Sequence, residues 1–211
     1  MADAEAYPEF TELDLVPPDS DVLNCVATPV LLNEIGRRRI DEIIGSMLRI
    51  ANGEQGNPDR PTLVGLAAPQ IGVSERIILV GVDAKGQGEK PNFRIYLNPE
   101  IVEKKGELIR GREGCYSTGT ICGIVPRHEE VTIHALSQTG QPIHETLTGF
   151  GARIAQHETD HLDGIRFPDR IKDDNDLLIV QPNQFGDFRT NWANWPHKAQ
   201  RAEWEALKAG K

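Results

Sequence analysis

The segment "RIAQHETDHLDG", residues 153 to 164, limits the fold of this chain more than any other stretch. Phe150, Ile154, His157 and His161 fall at i, i+4, i+7 and i+11, one stripe of a 3.6-residue helix. The spacing predicts a helix over roughly Gly149 to Asp163, ended by Gly164. Its two histidines continue an apolar, core-facing stripe. Imidazoles four residues apart on one helical face can reach a single metal ion. Glu158 points in a neighbouring direction, where it can accept a proton from water held at such an ion. Taken alone, the segment also fits a pair of core histidines beside a helix carboxylate.

A metal site needs a third ligand. His197 is the only later histidine and lies in the tail, so Cys115, in "REGCYS", is the better candidate. A thiolate with two imidazoles gives a tetrahedral site with its fourth position open to water. The competing reading is a small buried core residue, which is the reading given to Cys25 and Cys122. A third stretch, "GLAAPQIG" from Gly65 to Gly72, brackets small residues with glycines, so its backbone can approach a ligand closely. Gln70 within it carries an amide that can donate to an oxyanion, although a Gly-Ala turn with a surface glutamine fits equally well.

Composition narrows the classes. The 211 residues suit one domain, or at most two small ones. The net charge of -9 argues against binding a nucleic-acid backbone. The local basic run "GRRRI" at Gly36 to Ile40 reads as the solvated face of a helix. No apolar run reaches the length of a membrane span, and the opening "MADAEAYPEF" lacks the apolar region of a secretory signal. Three irregularly spaced cysteines are not a disulfide framework and suit a reducing cytoplasm.

Along the chain, residues 1 to 21, with acids and three prolines, read as an extended arm. Apolar residues from Ile35 to Ile50 recur at helical spacing and predict a helix over about Leu32 to Ala51. "NGEQGNPDRP" is a loop after it. "RIILVGV" (76–82) fits a buried strand, "DAKGQGEKPN" a turn, and "FRIYLNPEIVEKKGELI" a strand. "EVTIHAL" and "HETLTG" read as two more strands. After Arg170, "DLLIVQP" suits a strand and "WPHKAQRAEWEALKAG" a short helix with Pro196 in its first turn. Strands with one early and one late helix indicate an α+β fold.

"GLAAPQIG", "EGCYS" and "QHETDH", in that order, resemble the three motifs of the peptide deformylase family, with the likeness running from about Asp21 to Arg170. The resemblance implies antiparallel and mixed sheets packed around a central HExxH helix. It implies a hydrolase that removes the formyl group from the N-terminal formylmethionine of new polypeptides. It divides the chain into an arm (1–21), a catalytic domain (22–171) and a C-terminal extension (172–211). Cys115, His157 and His161 would bind one divalent metal ion: ferrous iron natively, with zinc, nickel or cobalt replacing it in preparations. Glu158 would move protons, while the Gln70 amide and the Tyr116 backbone N–H would hold the oxyanion. The substrate would lie extended beside Gly65, with its methionine in a pocket of Val64, Phe150 and Ile154, the last two fitting plain core almost as well. Glu113 and Asp160 would either accept from the ligand imidazoles or pair with Arg127. The partners implied are formylated nascent peptides and, transiently, the ribosome, in the cytoplasm, with neither nucleic-acid nor membrane binding.

The chain departs from the family pattern at five positions. Leu63 stands where glycine usually opens the first motif, and Tyr116 where leucine usually follows the cysteine. Thr118 and Gly119 replace an apolar residue and proline, and Cys122 falls where a groove arginine is common. These leave the catalytic groups intact and direct attention to substrate preference. A divergent paralogue acting on another N-acyl peptide, an HExxH metallopeptidase and a non-catalytic binding protein are the competing readings. Trp192, Trp195 and Trp204 all lie in the extension, docked either on the chain's own body or on a partner.

Overall fold

The computed structural model describes residues 13–54, 63–86 and 90–210. Most of the predicted arm, the "NGEQGNPDRP" loop and part of the "DAKGQGEKPN" turn lie outside the described residues. The first long helix, α1, spans Arg38–Ala51, later than expected. Leu31 to Arg37 instead form consecutive turns, and Gly36 takes a left-handed φ of 75° that breaks helical continuity. Arg38 is exposed at the start of α1, as the solvated reading of "GRRRI" requires.

Six strands follow: β1 (Gly65–Ala67), β2 (Ile77–Gly81), β3 (Phe93–Gly114), β4 (Ile121–Leu136), β5 (Pro142–Thr148) and β6 (Leu177–Ile179). They pair antiparallel in the order β1-β2-β3-β4-β5, with β6 added to β4. The helix α2 spans Gly149–Leu162, and the short helices α3 (Phe185–Asn191) and α4 (Arg201–Lys208) lie in the extension. The fold is α+β.

Alternation along β2 explains how the two main helices are held. Ile77 and Leu79 face α1, packing with Ile40, Ile43, Ile44, Met47 and Leu66. Ile78 and Val80 face the other way, onto Ala152, Ile154 and Ala155 of α2. A strand buried on both faces reads as a continuous apolar run, which is why "RIILVGV" stands out in the sequence. Burying such side chains contributes roughly 1.5–3 kcal/mol each. The long hairpin of β3 and β4 is wider than "EVTIHAL" suggested, because Gly123 and Pro126 interrupt the strand signature of residues 121 to 129. Its turn, Cys115 to Thr120, carries the second motif.

The extension docks on the body. Trp204 packs with Ile121, Val125, Phe167 and Ile171. Trp195 packs on the opposite face of β4, with Cys122 and Ile124. Only Arg201–Lys208 of the predicted late helix is helical, and Pro196 precedes it in a non-helical stretch. Helix α3 was not foreseen. Cys122 is buried as expected, but Cys25 is exposed: it sits just after a short 3-10 turn, its thiol directed at the Asp21 carbonyl.

Candidate active site

Three elements converge on one cavity of about 120 Å³. The helix α2 presents Phe150, Ile154 and His157 from its stripe and Glu158 beside them, β1 presents Gly65, and the β3–β4 turn presents Cys115 and Tyr116. Val64 also lines it. The ligand atoms of Cys115, His157 and His161 all lie within 4.8 Å of one another. The Cys115 Sγ is 3.4 Å from His161 Nε2. His157 uses Nδ1 for Glu113, 2.9 Å away, which leaves Nε2 for an ion.

The donor set fits a borderline-soft divalent cation. A thiol and two imidazoles gathered this closely match the ligand types and number of a tetrahedral site with one open position. His161 is held well below the usual imidazole range by burial, then by the His157, Arg166 and Arg127 charges, so it keeps a lone pair to donate. Its Nδ1 is buried without a hydrogen-bond partner among the described residues.

Glu158 is buried, and its Oε2 likewise has no partner among the described residues. Burial pushes its carboxyl up to about 7, with His157 opposing and Glu113 and Asp160 reinforcing. A carboxyl poised there can take and return protons near neutral pH. Gly65 makes room for it: a Cβ at that position would lie 2.4 Å from Glu158 Oε1 and 2.6 Å from Ile154 Cγ2. Gly65→Ala therefore must displace the carboxylate, and kcat is expected to fall by roughly a hundredfold for a shift of about 1 Å. Steady-state kinetics beside a melting curve check this, since the melting temperature should move far less.

Gln70 is buried on the 3-10 turn after β1. Its Oε1 accepts from the Ala67 N–H at 2.8 Å, which fixes which end is the donor. Its Nε2 lies 3.2 Å from both Cys115 Sγ and Ser117 Oγ, so the amide is aimed at the ligand turn.

The two readings of Glu113 and Asp160 resolve differently. Glu113 does both tasks: it orients His157 and receives the Arg127 guanidinium at 2.9 Å through each oxygen. Asp160 meets no ligand imidazole; it pairs with Arg127 and Arg170 instead. Sequence reasoning also missed Arg112 and Arg153, which line the cavity. Arg153 donates to Glu113 at 2.8 Å and to the Val125 carbonyl at 2.9 Å. Its position one turn before His157 was the available signal.

The sequence profile of polypeptide deformylase matches residues 13–176. This chain belongs to the peptide deformylase family. A peptide deformylase of Halalkalibacterium halodurans is 36% identical over 170 residues, covering 77% of this chain and 92% of the relative. Peptide deformylase 2 of Pseudomonas putida is 32% identical, covering 76% and 88%. A class I type b peptide deformylase from Acinetobacter baumannii, solved with Met-Ala-Ser bound, superposes with a TM-score of 0.67 at 33% identity, covering 75% of this chain and 98% of that one. The Thermotoga maritima peptide deformylase gives 0.64 at 29% identity, covering 76% and 98%. Among the described residues no helix is long and apolar enough to cross a membrane.

Proposed function

We propose that this deformylase family member hydrolyses the formyl amide of N-terminal formylmethionine on new polypeptides, with Glu158 as proton carrier. The observation that carries the reading is the meeting of Cys115, His157 and His161 beside Glu158 and Gln70 in one cavity. Cys115, His157 and His161 would hold the metal, ferrous iron in the cell. When bound, such an ion supplies Lewis acidity, lowering the proton affinity of water and polarising the formyl oxygen.

The chain's own groups do the rest. Glu158 takes a proton from the attacking water and delivers it to the nitrogen as the C–N bond breaks. Formate and a free methionine amine are the products. The Gln70 amide and the Tyr116 backbone N–H donate to the formyl oxygen as its charge grows. Ala67 keeps the Gln70 amide turned the right way. The peptide extends along β1, whose other edge is taken by β2, and its methionine enters among Val64, Phe150 and Ile154. The relative solved with Met-Ala-Ser supports a short peptide beginning with methionine as the product. The catalytic unit is residues 22–171, flanked by the arm and the extension, and the enzyme works in the cytoplasm on chains leaving the ribosome.

Formate release from a formyl-Met tripeptide, compared with the acetyl-Met and unblocked peptides, tests the reading. Only the first should react. Cleavage of an internal peptide bond would favour the metallopeptidase, and faster reaction of the acetyl peptide the divergent paralogue.

Tyr116 sits at the rim, partly exposed, where its ring rather than its N–H distinguishes this chain. Tyr116→Leu is expected to keep kcat and shift KM roughly tenfold between peptides differing in the residue after methionine. A small panel of formyl-Met peptides measures it.

A further inference from the structure

The match to the family ends at residue 176, yet the chain returns beneath the Cys115 turn. Arg166 lies there, fully buried. Its guanidinium donates to the Ser117 carbonyl at 2.9 Å, to the Pro18 carbonyl, and to Asn24 Oδ1 at 2.8 Å. Among the described residues no carboxylate is within ion-pair distance of it. A buried cation hydrogen-bonded only to neutral acceptors, with the Asp169 charge acting from beyond ion-pair distance, is costly, and what covers its face matters. That cover is the Trp204 indole, 4.6 Å from the guanidinium carbon.

Trp204 is itself fixed. Its Nε1 donates to Asp169 Oδ1 at 2.8 Å, and Lys208 Nζ donates to the other oxygen at 2.7 Å. Arg201, one turn earlier on α4, donates to the Pro168 and Ile171 carbonyls at 2.8 and 2.7 Å. At the far end of the ligand turn, the Leu207 side chain comes within 3.8 Å of where a Cβ on Gly119 would stand. Ser117 also receives the Gln70 amide. One turn thus joins a ligand, an amide aimed at it and the extension.

We propose that the C-terminal extension clamps the metal turn: Trp204 covers Arg166, and Arg166 fixes the main chain of the Cys115–Thr118 turn through the Ser117 carbonyl. Both are positioning residues for the Cys115 sulfur. The proposal rests on Cys115 being a ligand. An extension that only adds packing would change stability alone. A clamp also changes how well the sulfur meets His161, and lost support behind a ligand weakens metal binding by roughly 10–100-fold.

The test uses full-length protein at a temperature where each variant is folded. Cobalt(II) affinity is measured by chelator competition, the sulfur-to-cobalt absorption band is recorded, and kcat and KM are measured on a formyl-Met tripeptide. Trp204→Leu removes the cover. Arg166→Lys keeps a charge but cannot span three acceptors, and it carries the test if Trp204→Leu does not fold. Both should weaken cobalt binding by roughly 10–100-fold, alter the band and lower kcat with KM little changed. Trp204→Phe should recover much of the loss, and Trp195→Phe, on the other face of β4, should leave cobalt affinity as in wild type. Wild-type affinity and band in folded Arg166→Lys would overturn the clamp. A wild type that takes up no cobalt would overturn the ligand reading itself, and the clamp with it.

Discussion

Glu158→Gln is expected to abolish most turnover and, in the metal-free protein, to raise stability. Glutamine keeps the volume beside Gly65 but cannot accept a proton, and general acid–base groups contribute about 10²–10⁴-fold in rate. The proposed ligands Cys115, His157 and His161 are untouched, so metal content should match wild type. The stability change follows from the carboxyl that burial pushes up to about 7. A carboxyl whose folded value lies above its unfolded one costs nothing at acid pH. It then destabilises progressively as pH rises from the unfolded value through the folded one. The variant and wild type should therefore unfold alike near pH 4, diverge as pH rises to about 7, and above that hold a constant gap of roughly 3 kcal/mol in favour of Glu158→Gln, at 1.36 kcal/mol per pKa unit. Urea titrations of chelator-treated protein across this range, with kinetics on the metal-loaded form, give both halves. Turnover near wild type would remove Glu158 from the mechanism. The opposing signs match a group kept for chemistry at the expense of stability.

Arg127→Met is expected to be the most destabilising single change around the site. Arg127 is buried, forks onto Glu113 and also reaches Asp160. Its loss leaves Glu113 with Arg153 alone among its guanidinium partners, and Asp160 with Arg170. Breaking a buried pair from one side costs about 3–5 kcal/mol, or roughly 10 °C in melting temperature for a chain of this size. The loss has a pH signature. Burial alone would push the Glu113 carboxyl up, but the Arg127 guanidinium and the His157 hydrogen bond hold it well below the usual carboxylate range. A depressed carboxyl contributes stability above its unfolded value and loses it as pH falls through the folded one. The gap between wild type and Arg127→Met should therefore narrow as the solution is acidified below about pH 4. A constant gap would place the cost in packing. Because Glu113 orients His157, metal affinity should fall as well.

The helix carrying the histidines was legible because its stripe combines apolar residues and imidazoles at one period, and β2 because both its faces are buried. The first half of β4 was not, since Gly123 and Pro126 erase local strand preference and the pairing with β3 and β6 decides it. The start of α1 was missed because Ile35 keeps the helical period while Gly36 leaves helical geometry. Of the site residues that carry a motif, Cys115, His157 and His161 lie close enough together to hold one ion. The support around them was harder to see. The partners of Glu113 come from two separated elements, β4 and α2, and Arg112 and Arg153 enter the cavity as ordinary cations of β3 and α2. The extension gave least warning: its tryptophans follow no helical or strand period, and their places depend on β6 joining β4.

The central claim is that one ion at Cys115, His157 and His161 makes this chain a deformylase. Ferrous iron titrated anaerobically into metal-free protein, with bound metal and formate release from a formyl-Met tripeptide followed together, tests it most directly. Formate release should rise in proportion to bound iron and level off at one equivalent per chain. Full occupancy without formate release would contradict the account.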